Sequence, residues 1–440
     1  MALAIGSQTM VFRPMAKIKP FRAIVYNQEK IKDLSAVVCP PYDVISPSRQ
    51  QYFHELHPNN LIHILLAKDA PGEDKYRLAA SYFKDWLKND ILIADQSPAI
   101  YFYSQQYNLK GEKRIRIGFI ARLHLEEEKS IFAHEHTHLQ AKEDRFKLLK
   151  KIKANLSPIF VIFSDKKRII QGIYHKYLKD QKPFIDITDE EKVTHKVWRI
   201  FSPDILSDIE KKMSGENIFI ADGHHRYEVA CAWRDEMRKK LRASTGEEGF
   251  NYVLAYFTNP DPRGLTILPI HRLARSASKI NADGLKEKLK EYFDVEEVKD
   301  KARFFFLMEK GGRTEHLLGM YFGRRYALLR LKNIRILDKL ISNKPKDYRS
   351  LDVCILNYII LKNILGLDPE DKEELSFSPH AQELLDRADS DERVIVFFLN
   401  PVKMQQIMAV ALGGNKMPPK STYFYPKVLS GLVINRLIED

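Results

Sequence analysis

Apolar and polar positions follow two rhythms along this chain. Short apolar runs bounded by turn residues predict strands at Phe21–Tyr26, Ala99–Tyr107, Ile115–Leu125, Ile159–Phe163, Val193–Ile200 and Asn217–Ala221. The same signal recurs at Leu254–Phe257, Leu265–Ile270, Phe304–Met308, His316–Phe322, Tyr326–Leu331 and Val394–Leu399. Apolar spacings of three and four predict helices at Asp74–Leu87, 167–180, Ala282–Tyr292, Leu351–Leu365 and Val402–Ala411. Ser46-Pro47 and Ser202-Pro203 each set an N-cap before a proline, opening helices that run to about Leu56 and to Met213. The prolines of CPPYDVIS (Cys39–Ser46) predict a rigid loop, and Leu109-Lys110-Gly111 predicts the turn between two strands. His134–Lys142 reads as a loop leading to a helix from about Asp144 to Lys153. The closing MPPKSTYFYPKVLSGLVI reads as loop, then strand. Strands and helices mix without a regular βαβ rhythm, which predicts an α+β chain of mixed sheets with packed helices rather than a doubly wound parallel sheet.

Composition narrows the class. The chain has 440 residues, 44% hydrophobic, 29% charged and 11% aromatic, which excludes a mainly disordered or fibrous protein. No uncharged apolar run reaches about 18 residues, so no membrane-spanning helix is expected. Three scattered cysteines, Cys39, Cys231 and Cys354, argue against a disulfide scaffold and suit a reducing cytoplasm. Residues 1–14 are too short and broken for a secretory signal and read as an upstream start or disordered leader, with folding expected from near Lys19. Lys plus Arg number 71 against 58 Asp plus Glu, a net charge of +13 that favours anionic partners. The charge is spread in short runs such as Lys147–Lys153 and Arg238–Arg242. With no basic tail or aromatic-interleaved stripe, it points to nucleotides and phosphorylated metabolites rather than nucleic acid.

The sharpest chemistry lies in FIADGHHRYEVA (Phe219–Ala230). A buried strand ends at Asp222-Gly223 and a helix follows at once, with the apolar stripe Val229, Trp233 and Met237. Gly223 allows a tight turn and close ligand approach. The helix N-terminus contributes N–H groups and partial positive charge, and His224, His225 and Arg226 add donors at the same point. A capped turn would explain Asp-Gly, but not two histidines and an arginine in tandem; the pattern fits an anion, most simply a phosphate. No GxxxxGK[ST] loop and no GxGxxG after a strand offers another phosphate cradle.

Other clusters carry two readings each. HEHTH (His134–His138) matches HExxH by letters, and zinc held by His134 and His138 would make a hydrolase. The polar sequence that follows, Gln140 to Asp144, is unlike the long apolar helix that motif requires. Lys142, Asp144 and Arg145 suit either a solvated helix start or a phosphate contact in which Asp144 holds a metal or orients Arg145. Lys416–Tyr423 carries two prolines that would present Lys420, Ser421 and Thr422 on a stiff loop, as a second anion site or a packed terminal arm. Pro41-Tyr42-Asp43 and His271-Arg272 are candidate walls of the same pocket.

ADGHHRY resembles the DGHHR signature of the ParB/sulfiredoxin-like superfamily, and most closely its free-serine kinase branch. From about Lys19 to Leu437 the chain is similar to one uncharacterised conserved family, the domain of unknown function numbered 1015. The landmarks are CPPYDVIS, the HE-x-T…K-x-DR…N-x-SPI series, ADGHHRYE, GLTILPIHRL (Gly264–Leu273), LDV near Leu351 and MPPKSTYFYPK (Met417–Lys427). The kinase branch carries an HE pair, then a Pro-Ile strand, then DGHHR; this chain has His134-Glu135, Pro158-Ile159 and Asp222–Arg226 in that order. A longer segment separates Ile159 from Asp222 here than in that branch.

The resemblance implies a ParB/sulfiredoxin-like core at 131–275 with an insertion, an N-terminal α/β region at 15–130, and a C-terminal α/β region at 276–440. It implies a nucleotide-dependent phosphotransferase acting on a small hydroxylated metabolite such as free L-serine, with ATP or ADP and Mg²⁺. Glu135 then serves as general base, with His134 and Asp222 also catalytic. Gly223, His224, His225, Arg226, Lys142 and Arg145 hold phosphate, and Thr137, Asp144, Lys420 and Thr422 meet substrate. A nucleotide-binding regulatory or DNA-associated ParB-like protein is the alternative.

Overall fold

The computed structural model describes residues 16–438, apart from 70, 71, 73, 126–129, 138, 242–244, 277–280 and 372. The chain forms two compact units: Met1–Ala133 with Thr137–Gly264 and Pro426–Asp440, and His134–His136 with Leu265–Tyr425. Both mix strands with helices, as the irregular rhythm predicts. The leader lies outside the described residues, and among those described no helix is long and apolar enough to cross a membrane.

The first unit is built on a sheet of nine described strands. Its order is Ile131–Phe132, Ile218–Asp222, Ile159–Ile162, Tyr252–Thr258, Glu112–His124, Ile100–Leu109, Thr194–Ile200 and Ile185–Thr188, with Ile18–Lys19 also on Glu112–His124. Ile218–Asp222 runs parallel to Ile131–Phe132, and Ile159–Ile162 parallel to Tyr252–Thr258; the other pairings are antiparallel. Ile159, Val161, Ile220, Phe119 and Phe257 alternate onto one core face, where the Phe119 and Phe257 rings stack at 4.9 Å.

Helices Leu139–Ile152 and His224–Lys240 pack side by side in the same direction. Lys142 meets Glu228, Phe146 meets Trp233 and Lys150 meets Glu236 in step. Their basic last turns, Lys150-Lys151 and Arg238–Lys240, therefore share the end opposite Gly223. At 1.5 Å per residue that end is about 25 Å from the glycine. These basic runs complement the negative helix ends rather than adding charge to the glycine turn.

The second unit holds a six-stranded antiparallel sheet: Phe293–Val298, Arg325–Leu331, Leu317–Phe322, Val394–Phe398, His271–Arg275 and Leu375–Ser378. Its core gathers Phe304, Met308, Leu317, Leu328, Val396 and Phe398.

Three local expectations are corrected. Phe304–Met308 is not a strand but part of helix Lys301–Gly311: Asp300 caps it by accepting from the Arg303 amide at 2.6 Å. Phe304 and Met308, four apart, enter the core while Phe306 between them is 65% exposed. The helix expected from Asp144 begins at Leu139, because Gln140, Ala141, Lys142 and Glu143 are good helix formers. The expected strand Leu265–Ile270 is shorter, Thr266–Leu268, stopping before Pro269, and a separate strand His271–Arg275 follows.

Candidate functional site

The strand IFIAD is buried up to Ala221, and its last residue, Asp222, is the first to reach polar partners. Gly223 turns the chain at φ +90°, a left-handed conformation that costs glycine little. A Cβ there would lie 2.9 Å from Arg226 Cζ, so the glycine also makes room for the guanidinium folded over it. The helix starts directly at His224, so His224, His225 and Arg226 all lie in its first turn. Gly223 has no side chain to cap that turn, and the positive end of the helix dipole points to this spot.

Two cations converge on Asp222. Arg226 donates from Nη2 to Asp222 Oδ2 at 2.7 Å and also donates to the Pro158 carbonyl. Lys427 donates to Asp222 Oδ1. The three side chains are 12–13% exposed. Burial opposes the charge on Asp222, but Lys427 and Arg226, with His224 nearby, outweigh it and hold the carboxyl well below the usual carboxylate range. Lys427 reaches this point because its segment is strapped to the sheet. Buried Gln105 donates to the Lys427 carbonyl at 2.8 Å, and buried Arg116 donates to the Pro426 carbonyl. Chemically, the turn is a cationic cradle whose present anion is the protein's own carboxylate.

A second set surrounds it in the same unit. Glu228, on the helix that opens at His224, accepts from Thr137 Oγ1 at 2.6 Å and from Lys142 Nζ at 3.0 Å. Arg145 is buried, donates to Asp144 at 2.8 Å and to the Leu65 carbonyl at 2.6 Å, and stacks 4.5 Å from the Tyr42 ring centre. Asp144 also accepts from Tyr76 Oη at 2.7 Å and pairs with Lys75 at 3.2 Å. Burial raises its pKa, but Arg145 and the Tyr76 hydroxyl prevail and lower it. Asp144 thus orients Arg145.

The second unit gathers the other expected residues. Glu135 forms an isolated parallel bridge with Met417, whose amide donates to the His134 carbonyl at 2.7 Å. The Lys420 amide lies 3.4 Å from Glu135 Oε1, and His134 Nε2 lies 3.3 Å from Thr422 Oγ1. Lys420 itself is left-handed at φ +58°. Arg272 holds it there, donating to the carbonyls of Ile270 at 2.6 Å, Lys420 at 2.9 Å and Pro419 at 3.4 Å. His134–Thr137 is not helical, whereas HExxH needs both histidines on one helix; His138 lies outside the described residues. Among the described residues no group of three or more His, Cys, Asp or Glu could hold a metal ion.

The structure therefore brings together Asp222, Gly223, His224, His225 and Arg226, and separately His134, Glu135, Lys420 and Thr422. Residue-by-residue reading overlooked Lys427, Glu228 and the lever role of Arg272. All three sit inside the landmark segments: Lys427 ends MPPKSTYFYPK, Glu228 ends ADGHHRYE, and Arg272 is the arginine of GLTILPIHRL. A lysine and a carboxylate closing such segments were the available signal.

The sequence profile described as Protein of unknown function (DUF1015) matches residues 18–354. The chain belongs to that family. No curated protein matches it. Among solved structures it is similar to a free serine kinase variant in complex with ADP, at 10% identity and TM-score 0.32, covering 70% of this chain and 87% of that one. It is likewise similar to a conserved hypothetical protein from Pyrococcus furiosus, at 12% identity and TM-score 0.33, covering 73% and 97%. A third likeness is to C-terminally truncated SbnI from Staphylococcus aureus, at 11% identity and TM-score 0.32, covering 71% and 85%.

Proposed function

We propose that this protein is a nucleotide-dependent phosphotransferase acting on a small hydroxylated metabolite of the L-serine type. The observation that carries the reading is the cradle at Asp222–Arg226, where a left-handed glycine, a helix N-terminus and two largely enclosed cations meet. Backbone amides and a planar guanidinium suit a tetrahedral oxyanion, and Lys427 adds a point charge. In this reading the sheet region bearing the turn is the ParB/sulfiredoxin-like core.

Transfer needs little covalent chemistry from the protein beyond positioning and charge neutralisation. A terminal phosphate bound at Gly223 shares Arg226 and Lys427 with Asp222, whose role is to keep both cations aimed. The substrate oxygen attacks phosphorus as the bond to the leaving phosphate oxygen breaks, and Glu135 takes the hydroxyl proton. Glu135 is assigned as base from its motif order alone. A positioned base of this kind contributes about 10²–10⁴-fold. Any Mg²⁺ would be held by the nucleotide's own phosphates and would supply charge neutralisation there, because both oxygens of Asp222 are taken by Arg226 and Lys427.

The test is phosphorus NMR of the protein with Mg²⁺, ATP or ADP, and a panel of hydroxylated metabolites including L-serine. A new phosphoester that disappears with Glu135→Gln, while nucleotide binding survives, is the expected result. Transfer at full rate in Glu135→Gln overturns the base assignment. Nucleotide binding without any phosphoester overturns the transferase and leaves a nucleotide-responsive binding protein.

A further inference from the structure

Beside the cradle, within the same unit, the helices Leu139–Ile152 and His224–Lys240 roof a cleft. About 60 Å³ of it is open to water-sized groups, within about 500 Å³ of space that takes in solvent outside the walls. Leu65, Leu148, Ile152, Leu156, Val229 and Val253 make the inner faces apolar. Two features set it apart from an ordinary packing gap. One wall is flat and polar, because the Arg145 guanidinium lies 4.5 Å from the centre of the Tyr42 ring and both line the cleft. Arg226 lines the cleft and also folds over Gly223, so cleft and phosphate cradle are one side chain apart.

We propose that this cleft seats the base of a nucleoside diphosphate whose phosphates occupy the Gly223 cradle; the inference rests on the phosphate reading above. A planar heterocycle matches a slot with aliphatic faces and a guanidinium–aromatic wall. An aliphatic chain would gain nothing from that wall and would desolvate Arg145. Asn155 supplies the edge contact. Its Oδ1 already accepts from the Leu254 amide and from Asn435, both at 3.1 Å, so its amide N–H₂ is the group left to donate to a ring nitrogen or carbonyl. Ser157 is committed to Ser430 at 2.6 Å and shapes the floor.

The experiment compares ADP with inorganic pyrophosphate by calorimetric titration of the full chain. Wild type is expected to bind ADP at least about tenfold more tightly than pyrophosphate, the scale of one stacked base. Ala154→Leu, which fills the cleft, and Tyr42→Leu, which removes the flat wall, should each lower ADP affinity about tenfold and leave pyrophosphate within about twofold. Near-ultraviolet circular dichroism verifies that each variant folds, and either variant alone suffices. Equal binding of ADP and pyrophosphate by wild type, or parallel loss of both ligands in the variants, overturns the base site while the phosphate cradle stands. Failure of wild type to bind either ligand overturns the phosphate reading and the base site with it.

Discussion

The Gly223 turn and the Lys420 strap solve one problem by opposite means. Each holds a left-handed residue beside a carboxylate and beneath an arginine. At Gly223 the conformation is intrinsic to glycine, the arginine is three residues away, and the guanidinium bonds a carboxylate. At Lys420 the conformation is unfavourable to an L-residue, and it is imposed by Arg272, 148 residues away, which bonds only carbonyls. Charge is neutralised at the first site and merely solvated at the second. Burial without a carboxylate partner accordingly pulls Arg272 down to about 9, whereas the buried carboxylate at the first site stays strongly ionised. The contrast separates a charge-paired turn from a mechanically held loop.

The strongest way to break the contrast is Asp222→Ala. It leaves Arg226 and Lys427, both largely enclosed, without their carboxylate and should cost about 2–4 kcal/mol in urea denaturation. Asp222 also gives a sign in pH. Its folded pKa is depressed, so its contribution is present above the ordinary carboxylate range and is lost as pH falls through the folded value. Asp222→Asn should flatten that acid limb. Arg272→Met tests the other arm: three carbonyls lose their donor, and a loss of about 2 kcal/mol is expected. That loss should be accompanied by faster proteolysis at the strap, read by limited digestion. An effect as large as that of Asp222→Ala would mean the two arginines are equivalent, against the comparison.

His271, next to Arg272, sharpens the comparison further. Burial, with Arg272 and His380 adding to it, lowers its pKa to about 3, and its Nδ1 accepts from the Leu399 amide at 3.2 Å. The unfolded chain protonates near the ordinary 6.5. Unfolded protein therefore binds more protons between these values, and stability rises with pH there. Falling pH from about 6.5 towards 3 should remove up to about 1.4 kcal/mol per unit, and His271→Asn should lessen that slope. The smallest effect is Lys420→Gly, which relieves the left-handed strain and should stabilise by about 0.5–1 kcal/mol in thermal unfolding. Gly223→Ala, by contrast, should destabilise, since its Cβ meets both the strained φ and Arg226.

Local signals were sufficient for much of this molecule. Ser46-Pro47 and Ser202-Pro203 open helices at Pro47 and Pro203 as expected; the Ser46 side chain accepts from the Arg49 amide, whereas Ser202 makes no side-chain cap and that helix starts on the fixed φ of Pro203 alone. Ile218–Asp222 and the helix at His224 follow from an apolar run, an Asp-Gly and a period of four. The sequence also placed the glycine, the arginine and the helix N-terminus together, because all three fall within five neighbouring residues. It could not decide Phe304–Met308: an apolar run of that length satisfies either period until a core chooses which residues to bury. Nor could it join Lys427 to Asp222, Glu228 to Thr137, or Arg272 to Lys420. Those pairings span 205, 91 and 148 residues and exist only because sheet register and helix packing bring distant segments within hydrogen-bond reach. Residue type and short spacing act through local sterics and dipoles, which any stretch of chain carries with it. Which distant charge neutralises which is settled by burial, and burial is a property of the folded chain alone.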